Sequence, residues 1–136
     1  MNRKDFYTEL INKIAEKYDD DILGTVTESN SYIAFGTKRF RYEVRYNVPG
    51  KPFEISLAFE AENQNENKQH AKTAVTAFKK ADLYLERKKT ASQKGIHLIF
   101  ANDKLFGGLP EPFEAAEMIC EAFAVTPQKI LDWAFD

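Results

Sequence analysis

The residues best placed to do chemistry in this chain lie in two adjacent stretches. They are R-F-R-Y-E-V-R-Y-N-V, Arg39 to Val48, and F-E-I-S-L-A-F-E-A-E, Phe53 to Glu62. Glu60 and Glu62 carry carboxylates of the kind that hold a divalent cation beside a phosphate or a water. Arg39 and Arg41 carry guanidiniums that bind such carboxylates instead. Both stretches alternate apolar and polar residues, so each predicts a strand with one apolar and one polar face. If Pro49-Gly50-Lys51-Pro52 closes the hairpin, Val48 faces Phe53, Tyr46 faces Ile55, Val44 faces Leu57 and Tyr42 faces Phe59. The same register sets Arg41 against Glu60 and Arg39 against Glu62 on the polar face. Opposite charges across a strand pair contribute roughly 0.2–1 kcal/mol each, so the charges favour this register. Read this way the face is an ion-paired surface, with no catalytic residue, no metal and no cofactor.

The remaining elements follow from periodicity and punctuation. Phe6, Tyr7, Leu10, Ile11, Ile14 and Tyr18 mark one face of a helix over residues 4–18, ended by Asp19-Asp20-Asp21. Residues 22–31 read as a polar connection, and Tyr32-Ile33-Ala34-Phe35 as a short apolar strand. Asn63-x-x-Glu66 has the spacing of a helix-capping signature. It opens a long helix to about Ser92, with Ala71, Ala74, Val75, Phe78, Ala81 and Leu85 as its buried stripe and Gly95 as its C-terminal cap. I-H-L-I-F-A, Ile96 to Ala101, reads as a central strand. Leu105 to Pro112 reads as a loop. A helix follows on Phe113, Ala116, Ile119, Cys120 and Phe123. A last one starts with Thr126 as N-cap and Pro127 at the first helical position. The expectation is one α+β domain over residues 1–136, ordered α-β-β-β-α-β-α-α, with a four-stranded, mainly antiparallel sheet and helices packed on it.

The order α-β-β-β-α-β is similar to the core order of restriction-endonuclease-like nucleases. That resemblance implies a metal-binding Asp on the hairpin and a Glu-x-Lys beyond it. Glu60-Ala61-Glu62 falls near the second motif, with Glu62 where the lysine would stand. Arg39 and Arg41 occupy the place of the Asp and neutralise the charge that would recruit magnesium.

Composition narrows the function classes. The 136 residues carry a formal charge of −2, which argues against a generally basic nucleic-acid-binding protein. Aromatics interleave with Arg in the first strand, but the alternation puts Phe40, Tyr42, Val44 and Tyr46 on the helix-covered face, away from any nucleic-acid platform. Lys79, Lys80, Arg87, Lys88 and Lys89 read as a solvated helix surface diluted by Asp82 and Glu86. One cysteine, Cys120, falls in a helical apolar stripe, and His70 and His97 have no partner at zinc-ligand spacing. Gly107-Gly108 lacks the lysine of a phosphate loop. No apolar run approaches the length of a membrane span, and the expected location is the cytoplasm.

What stands out instead is an apolar loop. Leu105, Phe106 and Leu109 around two glycines are costly to leave in water, so they fill a partner's pocket or tuck against the domain. The expected function is a non-enzymatic, bacterial-style protein-binding module, such as a small immunity or antitoxin protein. Its contact residues would be Phe106, Leu105 and Leu109, with Arg39, Arg41, Glu60 and Glu62 as a second surface. The alternative is a divergent metal-dependent nuclease.

Overall fold

A computed structural model describes residues 1–17, 25–28, 31–87 and 94–135. The chain order is α1 (Arg3–Lys17), β1 (Thr25–Glu28), β2 (Ile33–Gly36), β3 (Phe40–Val48), β4 (Lys51–Phe59), α2 (Gln64–Lys80), β5 (Glu86–Arg87), β6 (Ile96–Asn102), α3 (Asp103–Phe106), α4 (Pro112–Val125) and α5 (Gln128–Ala134). The fold is α+β, as the sequence predicts. The sheet has six strands in the order β1-β2-β3-β4-β6-β5, and each adjacent pair is antiparallel. The four expected strands form its centre. β1 falls in the stretch expected to be a connection, and the two-residue β5 falls in the stretch expected to be helix. The acidic run at residues 19–21 and the lysines at 88 and 89 lie outside the described residues.

The hairpin differs from its expected register by two residues, and the turn explains why. Val48 pairs with Lys51, so the connection is the two residues Pro49-Gly50 rather than four. Gly50 has φ +79°, and Pro followed by a positive-φ Gly suits the centre of a tight turn. Tyr46 therefore faces Phe53, Val44 faces Ile55 and Tyr42 faces Leu57. Because the shift is even, every side chain keeps its expected face.

On the apolar face the strands present Phe40, Tyr42, Val44, Tyr46, Phe53, Ile55, Leu57, Phe59, Leu98 and Phe100, all buried. Phe6 of α1 stacks on Tyr46 at 3.9 Å between ring centroids, and Phe78 of α2 meets Phe100 edge-on at 6.0 Å. Tyr42 reaches the hydroxyl of Thr126 at 3.2 Å, tying the sheet to the end of α4. Burial raises the Tyr42 phenol well above its ordinary value, against the lowering effect of that hydrogen bond. Arg3 donates to the carbonyl oxygens of Tyr46 and Asn47, which locks the start of α1 over the hairpin end.

Two helix boundaries differ from expectation. α2 starts as expected, with the Asn63 side chain accepting from the backbone of Asn65 and Glu66, but it ends at Lys80. Asp82 takes φ +57°, which breaks the helix before the lysines further on can extend it. Gly95 is accordingly not a helix cap. It has φ +76°, and a Cβ there would stand 2.0 Å from the Phe59 carbonyl oxygen, so it allows β6 to begin against the end of β4. Thr126 is not the N-cap of α5 either: its hydroxyl donates to the Ala122 carbonyl at 2.7 Å and closes α4, and Pro127 takes the N-cap position.

Gly95→Ala should therefore destabilise the fold by about 2–4 kcal/mol, through both the backbone conformation and the clash. Urea unfolding measures this directly. An unchanged midpoint would mean that β4 and β6 do not approach as closely as described.

Candidate functional site

The polar face of the sheet is where the structure departs most from a simple reading of alternation. Arg41, Glu43 and Arg45 of β3, Glu54 and Ser56 of β4, and His97 of β6 share this face with Glu60, just past the end of β4. Glu43 is 1% exposed, Ser56 0%, Glu54 6% and His97 6%. An alternating strand on an open sheet leaves such residues in water; here they are buried. Small residues make the space. Gly36 and Ala58 stand beside Arg41, and Ala34 and Ser56 stand on either side of Glu43, so long side chains can lie across the sheet.

Glu43 is the hub. Its Oε2 accepts from Arg41, with Nε at 2.8 Å and Nη2 at 2.7 Å. Its Oε1 lies 3.0 Å from Arg45 Nη1, close enough for an ion pair but without hydrogen-bond alignment. Arg41 Nη2 also reaches Glu60 Oε1 at 3.0 Å. Arg45 lies 3.8 Å from Glu54 Oε2 and 4.8 Å above the Tyr32 ring. Burial opposes the charge on Arg41, but Glu43 and Glu60 outweigh it and hold the guanidinium above its ordinary pKa.

Glu60 connects the arginine network to His97. His97 Nε2 and Glu60 Oε2 are 2.5 Å apart. Burial alone would push the Glu60 carboxyl up, but hydrogen bonds from His97 and Arg41 and the Arg41 charge bring it down to about 2. At neutral pH Glu60 is thus an acceptor, and His97 Nε2 carries the donated proton. In the neutral imidazole Nδ1 is then the acceptor nitrogen. It is buried without a hydrogen-bond partner among the described residues, 3.9 Å from Glu43 Oε1. Ser56 Oγ, directly across the ladder from Glu43, is likewise buried without a partner among the described residues. Glu43, Glu60 and His97 each bring one ligand-capable atom within 4.8 Å of the others.

Of the residues proposed from sequence, Arg41 and Glu60 are brought together as expected. Arg39 and Glu62 are not paired. With the register moved by two, the Arg39 carbonyl accepts from the Glu60 amide, and its guanidinium donates to the Trp133 carbonyl at 2.8 Å. Glu62 is exposed beyond the last ladder pair. Both line a cavity of about 410 Å³ with Lys38, Glu60 and Glu66. The residues that sequence reasoning missed are Glu43, Arg45, Glu54, Ser56 and His97. The one available signal was His97 inside an otherwise apolar strand, where a polar side chain needs a partner.

The apolar loop divides in two. Phe106 is half-buried and meets Phe53 edge-on at 5.6 Å, so it folds back on the domain. Leu105 (53% exposed), Leu109 (46%) and Phe113 (52%) point outward. Phe113 was expected in the buried stripe of α4, but that stripe is Ala115, Ala116, Ile119, Cys120 and Ala122. The loop is braced rather than slack. Asn102 caps α3, the Gly108 amide donates to Asp103, and Glu111 and Glu114 cap α4 reciprocally. Pro110 and Pro112 are buried. Cys120 is buried, and burial pushes its thiol up, as for an inert core cysteine.

Two outcomes follow. Glu43→Ala should cost about 3 kcal/mol or more, because both guanidiniums lose their shared buried counter-charge; chemical unfolding reads it. The Glu60 carboxyl has a native pKa of about 2 against an ordinary 4.5, so its stabilising effect is fully present above pH 4.5 and is lost as pH falls toward 2. Wild type should therefore lose more stability than Glu60→Gln across that window, and parallel acid-unfolding curves would refute the assignment. Comparison with protein-family models, with curated proteins and with solved structures found no match.

Proposed function

We propose that the chain is a non-enzymatic protein-binding module that meets its partner through Leu105, Leu109 and Phe113. The observation that carries this reading is the outward presentation of three apolar side chains, Leu105 in α3, Leu109 in the loop after it and Phe113 at the start of α4, on a segment fixed by helix caps and by Phe106 against Phe53. A loop already held in one conformation loses little freedom on docking, so more of its apolar contact appears as affinity. The sheet's own charges favour the same division of labour. Arg41, Glu43 and Glu60 are engaged with one another, and a partner would have to break those pairs to use them. An inhibitor of a toxic enzyme, in the manner of immunity or antitoxin proteins in a bacterial cytoplasm, suits a small chain with a formal charge of −2.

One observation favours a second reading. Glu43, Glu60 and His97 are grouped as metal ligands are, as a metal-dependent nuclease would require. Against it, Arg41 already holds Glu43 Oε2 and Glu60 Oε1, so the two carboxylates a nuclease would use together for an ion and a phosphate are tied to one guanidinium.

The test is to identify what co-purifies from the native lysate and then measure its affinity with purified components. Phe113→Ala should weaken binding by about 2 kcal/mol or more with the melting temperature nearly unchanged. Phe106→Ala should do the reverse and cost mainly stability. Equal affinity for wild type and a Leu105→Ser, Leu109→Ser, Phe113→Ser triple variant would remove the loop from consideration.

A further inference from the structure

We propose that His97 Nδ1, Glu43 Oε1 and Ser56 Oγ form a binding site for one divalent transition-metal ion of the zinc class, with Glu60 as the residue that orients His97. The inference is independent of whether the loop binds a protein.

Three buried atoms on one face of the sheet, His97 Nδ1, Glu43 Oε1 and Ser56 Oγ, lack a hydrogen bond among the described residues, although Glu43 Oε1 has Arg45 beside it. His97 and Ser56 are both more than nine-tenths buried, and each has a polar atom without a hydrogen-bond partner among the described residues. Ser56 faces Glu43 directly across the ladder, and His97 faces Ala58, two residues further along β4 on the same side. His97 Nδ1 and Glu43 Oε1 face each other across 3.9 Å. Bonds of about 2.0–2.2 Å from imidazole nitrogen and carboxylate oxygen to zinc together span up to about 4.3 Å, so the two atoms lie within the reach of one ion once Arg45 moves aside.

The second shell has the form that metal-bound histidines take. A ligating imidazole donates its other N–H to a carboxylate, which fixes its tautomer and raises its basicity. Glu60 receives that hydrogen bond from His97 Nε2 and is itself held by Arg41. The donor set decides the metal class. A neutral imidazole with one carboxylate and one hydroxyl suits zinc and its first-row neighbours, whereas magnesium prefers an all-oxygen octahedron.

Charge permits the ion despite the arginines. Three carboxylates, Glu43, Glu54 and Glu60, stand against two guanidiniums, Arg41 and Arg45, leaving one negative charge with His97 neutral. Arg45 already has other places to go. Glu54 and the Tyr32 ring lie within its reach, so it can yield Glu43 Oε1 to the ion. Glu60, which holds His97, also lines the 410 Å³ cavity.

The experiment is a zinc titration of the full chain at neutral pH by calorimetry, with magnesium as the comparison. It is run together with nitrogen NMR of the imidazole rings, of which there are two, His70 and His97. The expected result is one zinc ion per chain, no comparable magnesium binding, and a shift of the His97 Nδ1 signal with His70 unmoved. His97→Gln should lose at least tenfold in zinc affinity, Glu60→Gln about 10- to 100-fold, and His70→Gln nothing. The NMR arm uses the unaltered chain, so it decides the matter even if a variant does not fold. No saturable zinc binding, binding that moves only His70, or equal affinity in folded His97→Gln would each overturn the proposal.

Discussion

The structure depends on keeping one buried carboxylate satisfied. Glu43 sits at the middle of the central strand pair with 1% of its surface exposed, where an ionised group is tolerated only if opposite charge and hydrogen bonds replace water. Arg41 and Arg45, two residues before and after it on the same strand, supply that charge from the same face. The requirement propagates outward. The neighbours on β2 and β4 must be small, and Ala34, Gly36, Ser56 and Ala58 are. Arg41 has spare donors, which draw in Glu60, and Glu60 in turn draws in His97 from β6. One carboxylate thereby links β3, β4 and β6 through side chains as well as through the ladder.

The same constraint makes register an all-or-none matter. A slip of one residue would turn Glu43 and both arginines into the aromatic layer beneath the helices and expose Tyr42, Val44 and Tyr46. A slip of two keeps the faces, so only local geometry can choose between the remaining registers. The Pro49-Gly50 turn chooses, because a glycine at φ +79° closes the chain in two residues. Reading Lys51 and Pro52 as part of the loop is what displaced the expected pairing. Diagonal reach then preserved the Arg41–Glu60 contact although the two residues are not ladder partners. Arg39 and Glu62, one step further out, had no such latitude.

What was legible in the sequence follows the same logic. Period-two alternation showed which side of each central strand carries the aromatics, because that pattern depends only on backbone geometry. The capping role of Asn63 was legible because it is a contact three residues long. The end of α2 was not. Lysines further along look favourable for a helix C-terminus, and nothing local announces that Asp82 adopts φ +57°. The site was the least legible part. Alternation marks Glu43, Ser56 and Glu54 as polar and therefore as outward, but it cannot tell an outward side chain in water from one beneath neighbouring arginines. His97 was visible as a polar residue in an apolar strand, yet its partners, Glu60 and Glu43, are 37 and 54 residues away in sequence. Only strand pairing brings them together.

The two faces and the loop therefore suit different kinds of recognition. A protein partner gains affinity by covering groups that lose little when water leaves, and outward Leu105, Leu109 and Phe113 are such groups. The charged sheet face is poor ground for that purpose. Its carboxylates and guanidiniums are already desolvated and paired, so a protein side chain would have to replace contacts as good as those it breaks. A small ion meets less competition at atoms that make no hydrogen bond among the described residues. Among the described residues His97 Nδ1 and Ser56 Oγ have no hydrogen bond to give up when they accept one, and Glu43 Oε1 exchanges its Arg45 ion pair for the ion while Arg41 stays on Oε2. Buried polar networks are most stable when every member is satisfied. In this one the acceptor atoms left unsatisfied among the described residues lie on the same face near one carboxylate, where a coordinating ion can take them while Arg45 turns to Glu54.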